Sequence, residues 1–232
     1  MTDSAETVMP ATRGLPLDPR KALIVAALCW SGFAAVAWAV ATGQSAAIDK
    51  AGLLFWRNGP LLPPSTPHAV EIMRGITALG GAPLRSLFAV LAVAVLLALR
   101  LRREAVLLAF TVTGAAIVNS AAKALAGRPR PEIVPHLTAA SGYSFPSGHS
   151  FNGAAIYIAM ALTFAALSPR RAVRHTLIAC AMALSVAIAW SRVWLGVHWP
   201  SDALAGWLGG AGWAFLASAL LYRRRQSIVP KA

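Results

Sequence analysis

The sequence predicts an all-α integral membrane protein with six transmembrane helices. Hydrophobic residues make up 57% of the 232 residues and charged residues only 12%, a composition too apolar for a soluble domain of this size. Uncharged runs that cross, or nearly cross, a hydrocarbon core of about 30 Å occur six times. The net charge of +13 comes from short basic clusters between these runs, which indicates membrane topology and argues against nucleic acid as a partner.

The six predicted spans differ in length and in their flanking residues. They cover residues 22–43, 86–99, 105–122, 150–169, 175–191 and 203–222. The first follows two basic residues, as the core of a secretory signal does, but its length and its Trp30 and Trp38 favour an uncleaved helix. The second is short and is bounded by Arg85 and Arg100, whose side chains can extend toward the lipid headgroups. All six are therefore interpreted as membrane helices.

The stretch between the first two spans, residues 44–85, is long for a simple turn. Its Ile72, Met73, Ile76 and Leu79 recur at helical spacing, which predicts a short amphipathic helix lying on the membrane surface. A plain connecting loop is the alternative.

The basic clusters predict the orientation of a single membrane domain, residues 22–222, between a disordered N-terminal tail, 1–21, and a basic C-terminal tail, 223–232. They follow the second, fourth and sixth spans and comprise Arg100, Arg102 and Arg103, then Arg170, Arg171 and Arg174, then Arg223, Arg224 and Arg225. Because basic loops are retained on the cytoplasmic side, both tails are predicted to be cytoplasmic. The loops after the first, third and fifth spans then face outward.

Three short polar blocks are predicted on this outer face, at the membrane–water interface. They read "KALAGRPRP" from Lys123, "FPSGHS" from Phe145 and "SRVWLGVHWPSD" from Ser191. The second and third blocks are separated by about forty residues, which is two crossings of roughly twenty each. Ionisable groups in such an apolar chain indicate a functional site, so we expect the blocks to form one active site in the helical bundle.

The blocks contain the groups that bind a phosphate ester. Lysine and arginine supply positive charge, and backbone N–H groups at a helix start complete an anion site. The candidate phosphate-binding residues are Lys123, Arg130, Ser147, Gly148 and Arg192.

Two histidines suit the two chemical roles that phosphate transfer needs. His198 lies four residues before Asp202, and a carboxylate that accepts from one ring nitrogen makes the other a better nucleophile. His149 would be protonated and would donate to the leaving oxygen.

Taken together, the three blocks resemble the tripartite signature of the type 2 phosphatidic acid phosphatase family, which includes bacterial undecaprenyl-diphosphate phosphatases. Lys123 with Arg130 and Pro131, then Pro146 to His149, then Ser191 and Arg192 with His198 and Asp202, match in order and spacing. The resemblance implies that His198 forms a phosphohistidine, that Asp202 orients it and that His149 is the acid. It also implies a membrane lipid phosphate as substrate and no metal or other cofactor.

Other interpretations remain open at the level of sequence. The same phosphohistidine could serve a lipid phosphotransferase, and a non-hydrolytic anion or lipid transporter would also place arginines at helix ends. The "PSGH" segment alone could be a helix start with Ser147 as a cap. Arg128 is out of register with the signature and is interpreted as steering anions. Phosphatidic acid, phosphatidylglycerophosphate and undecaprenyl diphosphate all remain candidate substrates.

Overall fold

The computed structural model describes residues 18–57 and 67–226, and these ranges contain α-helices and no β-strand. The helices are α1 (Pro19–Ala41), α2 (Ala46–Leu54), α3 (Pro67–Gly80), α4 (Ala82–Ala98), α5 (Arg102–Ala126), α6 (Gly148–Ala165), α7 (Arg171–Trp194) and α8 (Pro200–Gln226). The all-α prediction is confirmed for these ranges. Most of the predicted N-terminal tail, and residues 227–232 of the C-terminal tail, lie outside the described residues.

Helices α1, α5 and α7 and the Pro200–Leu220 part of α8 are long and apolar enough to span a membrane. Helices α3 and α4 meet at a bend of 49° and qualify as a fifth span if the bent pair crosses as one unit. The described ranges thus give four or five candidate spans by length and composition, where the sequence predicted six. The predicted fourth span corresponds to α6, whose polar first turn lowers its apolar character.

Large apolar side chains cover the outside of the bundle. Side chains that are at least 65% exposed include those of Leu28, Val90, Phe110 and Ile117. Contact between so much apolar surface and water is energetically unfavourable. A surface of this kind is suited to lipid tails, so the protein is a membrane protein.

Helix α6 forms the centre of the bundle and packs against α5, α7 and α8. Glycines on α8 allow the closest of these contacts. A Cβ atom on Gly206 would lie 2.6 Å from the carbonyl oxygen of Ser147, and one on Gly210 would overlap the carbonyl oxygen of Phe151. Small residues at four-residue spacing let two helix backbones approach closely. This contact brings the first turns of α6 and α8 together.

The described part of the segment from 44 to 85 contains two complete helices and the first turn of α4, whereas the sequence predicted one helix there. Helix α2 was not predicted, and α3 extends the predicted amphipathic helix in both directions. Met73 packs against Trp194 and Leu195, and Ile76 and Leu79 pack beside Ile188, whereas Ile72 is 60% exposed. The apolar face of α3 therefore packs mainly against protein, because α7 offers it a complementary apolar surface.

Candidate active site

The three polar blocks lie together at one end of the bundle. The backbone N–H of Ser147, which precedes α6, donates to the carbonyl oxygen of Asp202 in the first turn of α8 at 3.0 Å. A Cβ atom on Gly148 would lie 3.6 Å from Cε of Lys123 in the last turn of α5. Helix α5 ends there because Gly127 adopts φ of 57°, a left-handed conformation that glycine readily takes.

His198 lies between a carboxylate and a guanidinium. Its Nδ1 is 3.4 Å from Oδ2 of Asp202, and its Nε2 is 3.1 Å from Nη1 of Arg130. Arginine can only donate, so Nε2 is the accepting nitrogen and Nδ1 carries the hydrogen toward Asp202. This tautomer leaves the lone pair of Nε2 as the nucleophilic position.

The environment of His198 also favours its neutral form. The residue is 1% exposed and lies in the connection between α7 and α8. Burial lowers the pKa of His198 to about 4, although the hydrogen bond and the charge of Asp202 oppose this shift. At neutral pH the imidazole is therefore uncharged.

Arg130 and Lys123 are held by a backbone loop. Arg130 donates from Nη2 to the carbonyl oxygen of Ser141 at 2.7 Å and from Nε to that of Gly142 at 3.1 Å. Lys123 donates from Nζ to the carbonyl oxygen of Tyr143 at 2.7 Å. The loop from 141 to 143 consequently orients both cations, of which Arg130 contacts His198 and Lys123 interacts electrostatically with Arg130 and Asp202.

Arg192 is the most deeply buried of the predicted phosphate-binding cations, at 2% exposure. Its Nη1 donates to Oγ1 of Thr77 on α3 at 2.7 Å. Its Nε is also buried but has no hydrogen-bond partner among the described residues. A buried donor without a partner is costly, and an anion bound here would satisfy it.

Ser147 caps α6. Its Oγ accepts hydrogen bonds from the backbone N–H of Ser150 at 3.4 Å and from the Ser150 hydroxyl at 2.9 Å. The backbone N–H of Ser147 donates to the carbonyl oxygen of Asp202, and its side chain caps α6. Ser147 therefore has the structural role of a helix cap that the sequence offered as an alternative to phosphate binding. The N–H groups of Gly148 and His149 begin the helix and have no acceptor within it, so they remain suited to bind an anion.

His149 lies at the junction of α3 and α4. A Cβ atom on Gly80 would be 3.2 Å from Cβ of His149, and one on Gly81 would be 3.8 Å from its Nε2. Within the described part of the chain its ring makes no hydrogen bond, and it interacts electrostatically with Arg192 and His198. The two histidines therefore belong to one site and have different surroundings.

The structure assigns Arg128 a different position from the one expected. Its guanidinium does not face outward to steer anions but forms ion pairs with Asp202 at 2.6 Å and with Asp49 at 2.7 Å. Asp49 on α2 was missed by the sequence analysis. It is the one carboxylate between Asp18 and Glu71, and its position in an apolar run was a signal that could have identified it.

The cations outnumber the carboxylates around His198. Lys123, Arg130 and Arg192 all interact electrostatically with one another, and Asp202 is the carboxylate that opposes them. In the described ranges no three His, Cys, Asp or Glu side chains lie close enough to hold a metal ion. The arrangement is therefore that of an anion site with an imidazole at its centre.

Comparisons with known proteins identify relatives of the chain. The chain is 31% identical to phosphatidylglycerophosphatase B of Bacillus subtilis over 141 residues, which is 60% of this chain and 69% of that one. It is 37% identical to lipid A 1-phosphatase of Rhizobium etli over 123 residues, 49% of this chain and 48% of that one. The chain thus spans about half the length of the lipid A 1-phosphatases it matches.

Two crystal structures are similar to this fold over different shares of the chain. The transmembrane PAP2 type phosphatidylglycerolphosphate phosphatase of Bacillus subtilis matches with a TM-score of 0.73 and 26% identity, over 89% of this chain and 98% of that one. Aquifex aeolicus LpxE shares the fold, with a TM-score of 0.52 and 21% identity over 67% of this chain and 88% of that one. The sequence pattern of the PAP2 superfamily matches residues 104–226, which contain all three polar blocks. The chain therefore belongs to the PAP2 superfamily.

Proposed function

We propose that the protein is a metal-independent phosphatase that removes phosphate from a lipid phosphate or diphosphate through a phosphohistidine, on the extracytoplasmic face of the cytoplasmic membrane. The observation that supports this most strongly is the pair of contacts made by His198. Asp202 fixes the hydrogen on Nδ1, and the buried, neutral ring directs the lone pair of Nε2 toward the cations. A phosphate bound by those cations would lie in front of this nitrogen.

In the first step, Nε2 of His198 attacks phosphorus and the bond from phosphorus to the lipid oxygen breaks. The departing oxygen takes a proton from His149, which must hold that proton at the start of the step. Burial and the charge of Arg192 lower the pKa of His149 in the free site, so this step requires the negative charge of the bound phosphate to raise it again. The guanidinium of Arg130, whose Nη1 contacts Nε2, transfers that hydrogen bond to a phosphate oxygen as the substrate binds. Arg192 adds the unused Nε donor, so both guanidiniums stabilise charge in the transition state.

In the second step, water attacks the phosphohistidine and the bond from nitrogen to phosphorus breaks. His149, now neutral, accepts the proton of this water, and inorganic phosphate leaves. His198 returns to the neutral tautomer with its hydrogen on Nδ1. Asp202 stabilises positive charge on the ring during both steps, because its carboxylate accepts from Nδ1.

The lipid nature of the substrate is supported by the apolar outer surface and by the relatives, which are named for lipid phosphates. The outward direction of the site is supported by the basic clusters at the opposite ends of the helices. Arg102 and Arg103 begin α5 and Arg171 begins α7, whereas Lys123 and Arg192 lie in the last turns of those helices. Under the positive-inside rule, this distribution favours the outer face for the site.

The test is release of phosphate by purified protein from four lipids: phosphatidic acid, phosphatidylglycerophosphate, undecaprenyl diphosphate and lipid A carrying a 1-phosphate. We expect turnover of at least one lipid, no turnover in His198→Ala, and wild-type turnover in His175→Ala, which alters an exposed histidine at the other end of α7. Equal activity in His198→Ala and the wild type would contradict the proposal.

A further inference from the structure

Arg128 is bound by two carboxylates from distant parts of the chain. Its Nη2 is 2.7 Å from Oδ2 of Asp49, and its Nη1 is 2.6 Å from Oδ1 of Asp202 and 2.7 Å from Oγ of Ser201. We call Asp49, Arg128, Ser201 and Asp202 the Arg128 cluster. It joins α2, the α5–α6 connection and the first turn of α8 directly behind His198.

Asp49 is fully enclosed in this cluster. It is 1% exposed, and its Oδ1 accepts from the backbone N–H of Ser201 at 2.9 Å while its Oδ2 accepts from the Ser201 hydroxyl at 2.7 Å. A buried carboxylate is tolerated when it is paired and hydrogen-bonded, and Arg128 supplies the pairing charge. Asp49 therefore fixes Arg128 and, through Ser201, the start of α8.

The two oxygens of Asp202 have separate partners. Arg128 binds Oδ1, whereas Oδ2 accepts from the backbone N–H of Trp199 at 3.0 Å and lies 3.4 Å from Nδ1 of His198. Because Arg128 holds one oxygen, the carboxylate cannot rotate away from the imidazole. The Trp199 ring, with its centroid 5.4 Å from Cζ of Arg128, closes the cluster on another side.

We infer that Asp49 is a positioning residue for the His198–Asp202 pair and that it acts through Arg128. Neither Asp49 nor Arg128 has a role in the signature, and neither contacts His198. This inference rests on the proposed function for its effect on turnover, but the geometry of the cluster does not depend on that function. Asp49 also holds the positive charge of Arg128 in the cluster, away from the cations that would bind phosphate.

The charge balance of the cluster allows a test by sign. Removal of Arg128 leaves two carboxylates unpaired behind His198, so Arg128→Gln should raise the pKa of that imidazole by about half a unit or more. Removal of Asp49 leaves Asp202 as the one carboxylate that pairs with Arg128. Because the cluster then carries one negative charge fewer, Asp49→Asn should lower the pKa of His198 below its wild-type value. The pKa of His198 in the double variant, Asp49→Asn with Arg128→Gln, should lie between the values in the two single variants. Arg130, Arg192 and His149 also face His198 and are unchanged in every variant.

The experiment is a titration of ¹⁵N-histidine-labelled protein in detergent, with His198 assigned from the His198→Ala spectrum. Lys50→Gln is the matched control, because Lys50 is the exposed neighbour of Asp49 on α2 and should leave the titration unchanged. Arg128→Lys keeps the charge and should keep the pKa of His198 near its wild-type value. Asp49→Ser repeats the test with a smaller neutral side chain if Asp49→Asn is not folded.

Turnover provides the second readout. We expect Asp49→Asn and Arg128→Lys to lower kcat by about tenfold to a hundredfold with little change in KM, because the imidazole is misplaced while the phosphate-binding groups remain. An upward shift of the His198 pKa in both single variants would indicate simple loosening and would overturn the inference, as would a wild-type titration and kcat in Asp49→Asn. Shifts of opposite sign in a protein that hydrolyses no lipid would support the inference and reject the proposed function.

Discussion

Nη1 of Arg130 lies 3.1 Å from Nε2 of His198. The guanidinium proposed to bind phosphate thus contacts the nitrogen proposed to attack phosphorus. The same Nη1 is 2.8 Å from the carbonyl oxygen of Val197. Arg130 therefore fixes the tautomer of His198 and also holds the backbone at Val197, in the connection between α7 and α8. A phosphate that binds between these two groups would be held by one and attacked by the other.

The first prediction concerns the dependence on metal. The purified protein should release phosphate from lipid phosphates in excess chelator, because guanidinium, ammonium and backbone N–H groups supply the charge that stabilises the transition state. Vanadate should inhibit, since it mimics five-coordinate phosphorus. Loss of turnover in chelator, with recovery on addition of magnesium, would contradict the metal-independent mechanism.

The second prediction concerns Arg192. Arg192→Ala should lower kcat by about a hundredfold or more, which is the scale for removing one preorganised donor at developing charge. Arg192→Lys should recover part of this loss, because a single ammonium cannot place donors at both the Nη1 position that binds Thr77 and the Nε position of the planar guanidinium. Arg174→Lys, at the other end of the same helix, is the control and should retain wild-type kcat. Full activity in Arg192→Lys would show that the guanidinium geometry is not used.

The third prediction concerns acid pH. Protonation removes the lone pair of His198, and burial lowers its pKa from the ordinary 6.5 to about 4. The neutral form therefore persists as the pH falls through 6.5, and the acid limb of kcat/KM that belongs to His198 should lie below pH 5. Asp202→Asn should move this limb lower still, because the charge of Asp202 raises the pKa of His198. The measurement is kcat/KM against pH, corrected for ionisation of the substrate, and a His198 limb at 6.5 would contradict the prediction.

The parts of the site that were predictable from the sequence are those set by local spacing. His198 and Asp202 are four residues apart at a helix start, so their contact follows from the chain itself. The partners of Arg128 and Arg192 do not follow in this way, because Asp49 is 79 positions from Arg128 and Thr77 is 115 positions from Arg192. Both partners belong to the segment between the first two spans, where the sequence predicted one short helix.

The six-span prediction shows a related difficulty. Helix α6 lies inside the bundle and carries His149, Ser150 and Asn152 in its first turns, so its composition is set by the site as well as by lipid. Helices α3 and α4 meet the hydropathy test for a span only as a pair, and they bend near Gly81, beside His149. Apolar composition therefore predicts the helices in contact with lipid better than those that line the site.

The fourth prediction concerns topology. In a background with Cys29 and Cys180 replaced by alanine, Ala139→Cys and Tyr143→Cys should react with a membrane-impermeant thiol reagent added to intact cells, since both positions are exposed beside the site. Arg171→Cys, exposed at the opposite end of α7, should react after the cells are opened. Labelling of position 171 in intact cells would reverse the orientation and place the chemistry in the cytoplasm.

The last prediction separates the two histidines by their effect on different leaving groups. Removing His198 should abolish turnover and the covalent intermediate for every substrate, because it supplies the attacking nitrogen. Removing His149 should slow the reaction in proportion to the need of the leaving oxygen for a proton, severely for a lipid alkoxide and mildly for p-nitrophenolate.

The measurement is acid-quench trapping of an acid-labile, base-stable phosphoprotein, with rates for both leaving groups in His149→Ala and His198→Ala. His175→Ala serves as the control for loss of a histidine outside the site. Trapped phosphoprotein in His198→Ala would exclude this residue as the nucleophile. Equal slowing of the aryl and alkyl substrates in His149→Ala would show that it does not protonate the leaving group, since p-nitrophenolate departs without a proton and an alkoxide does not.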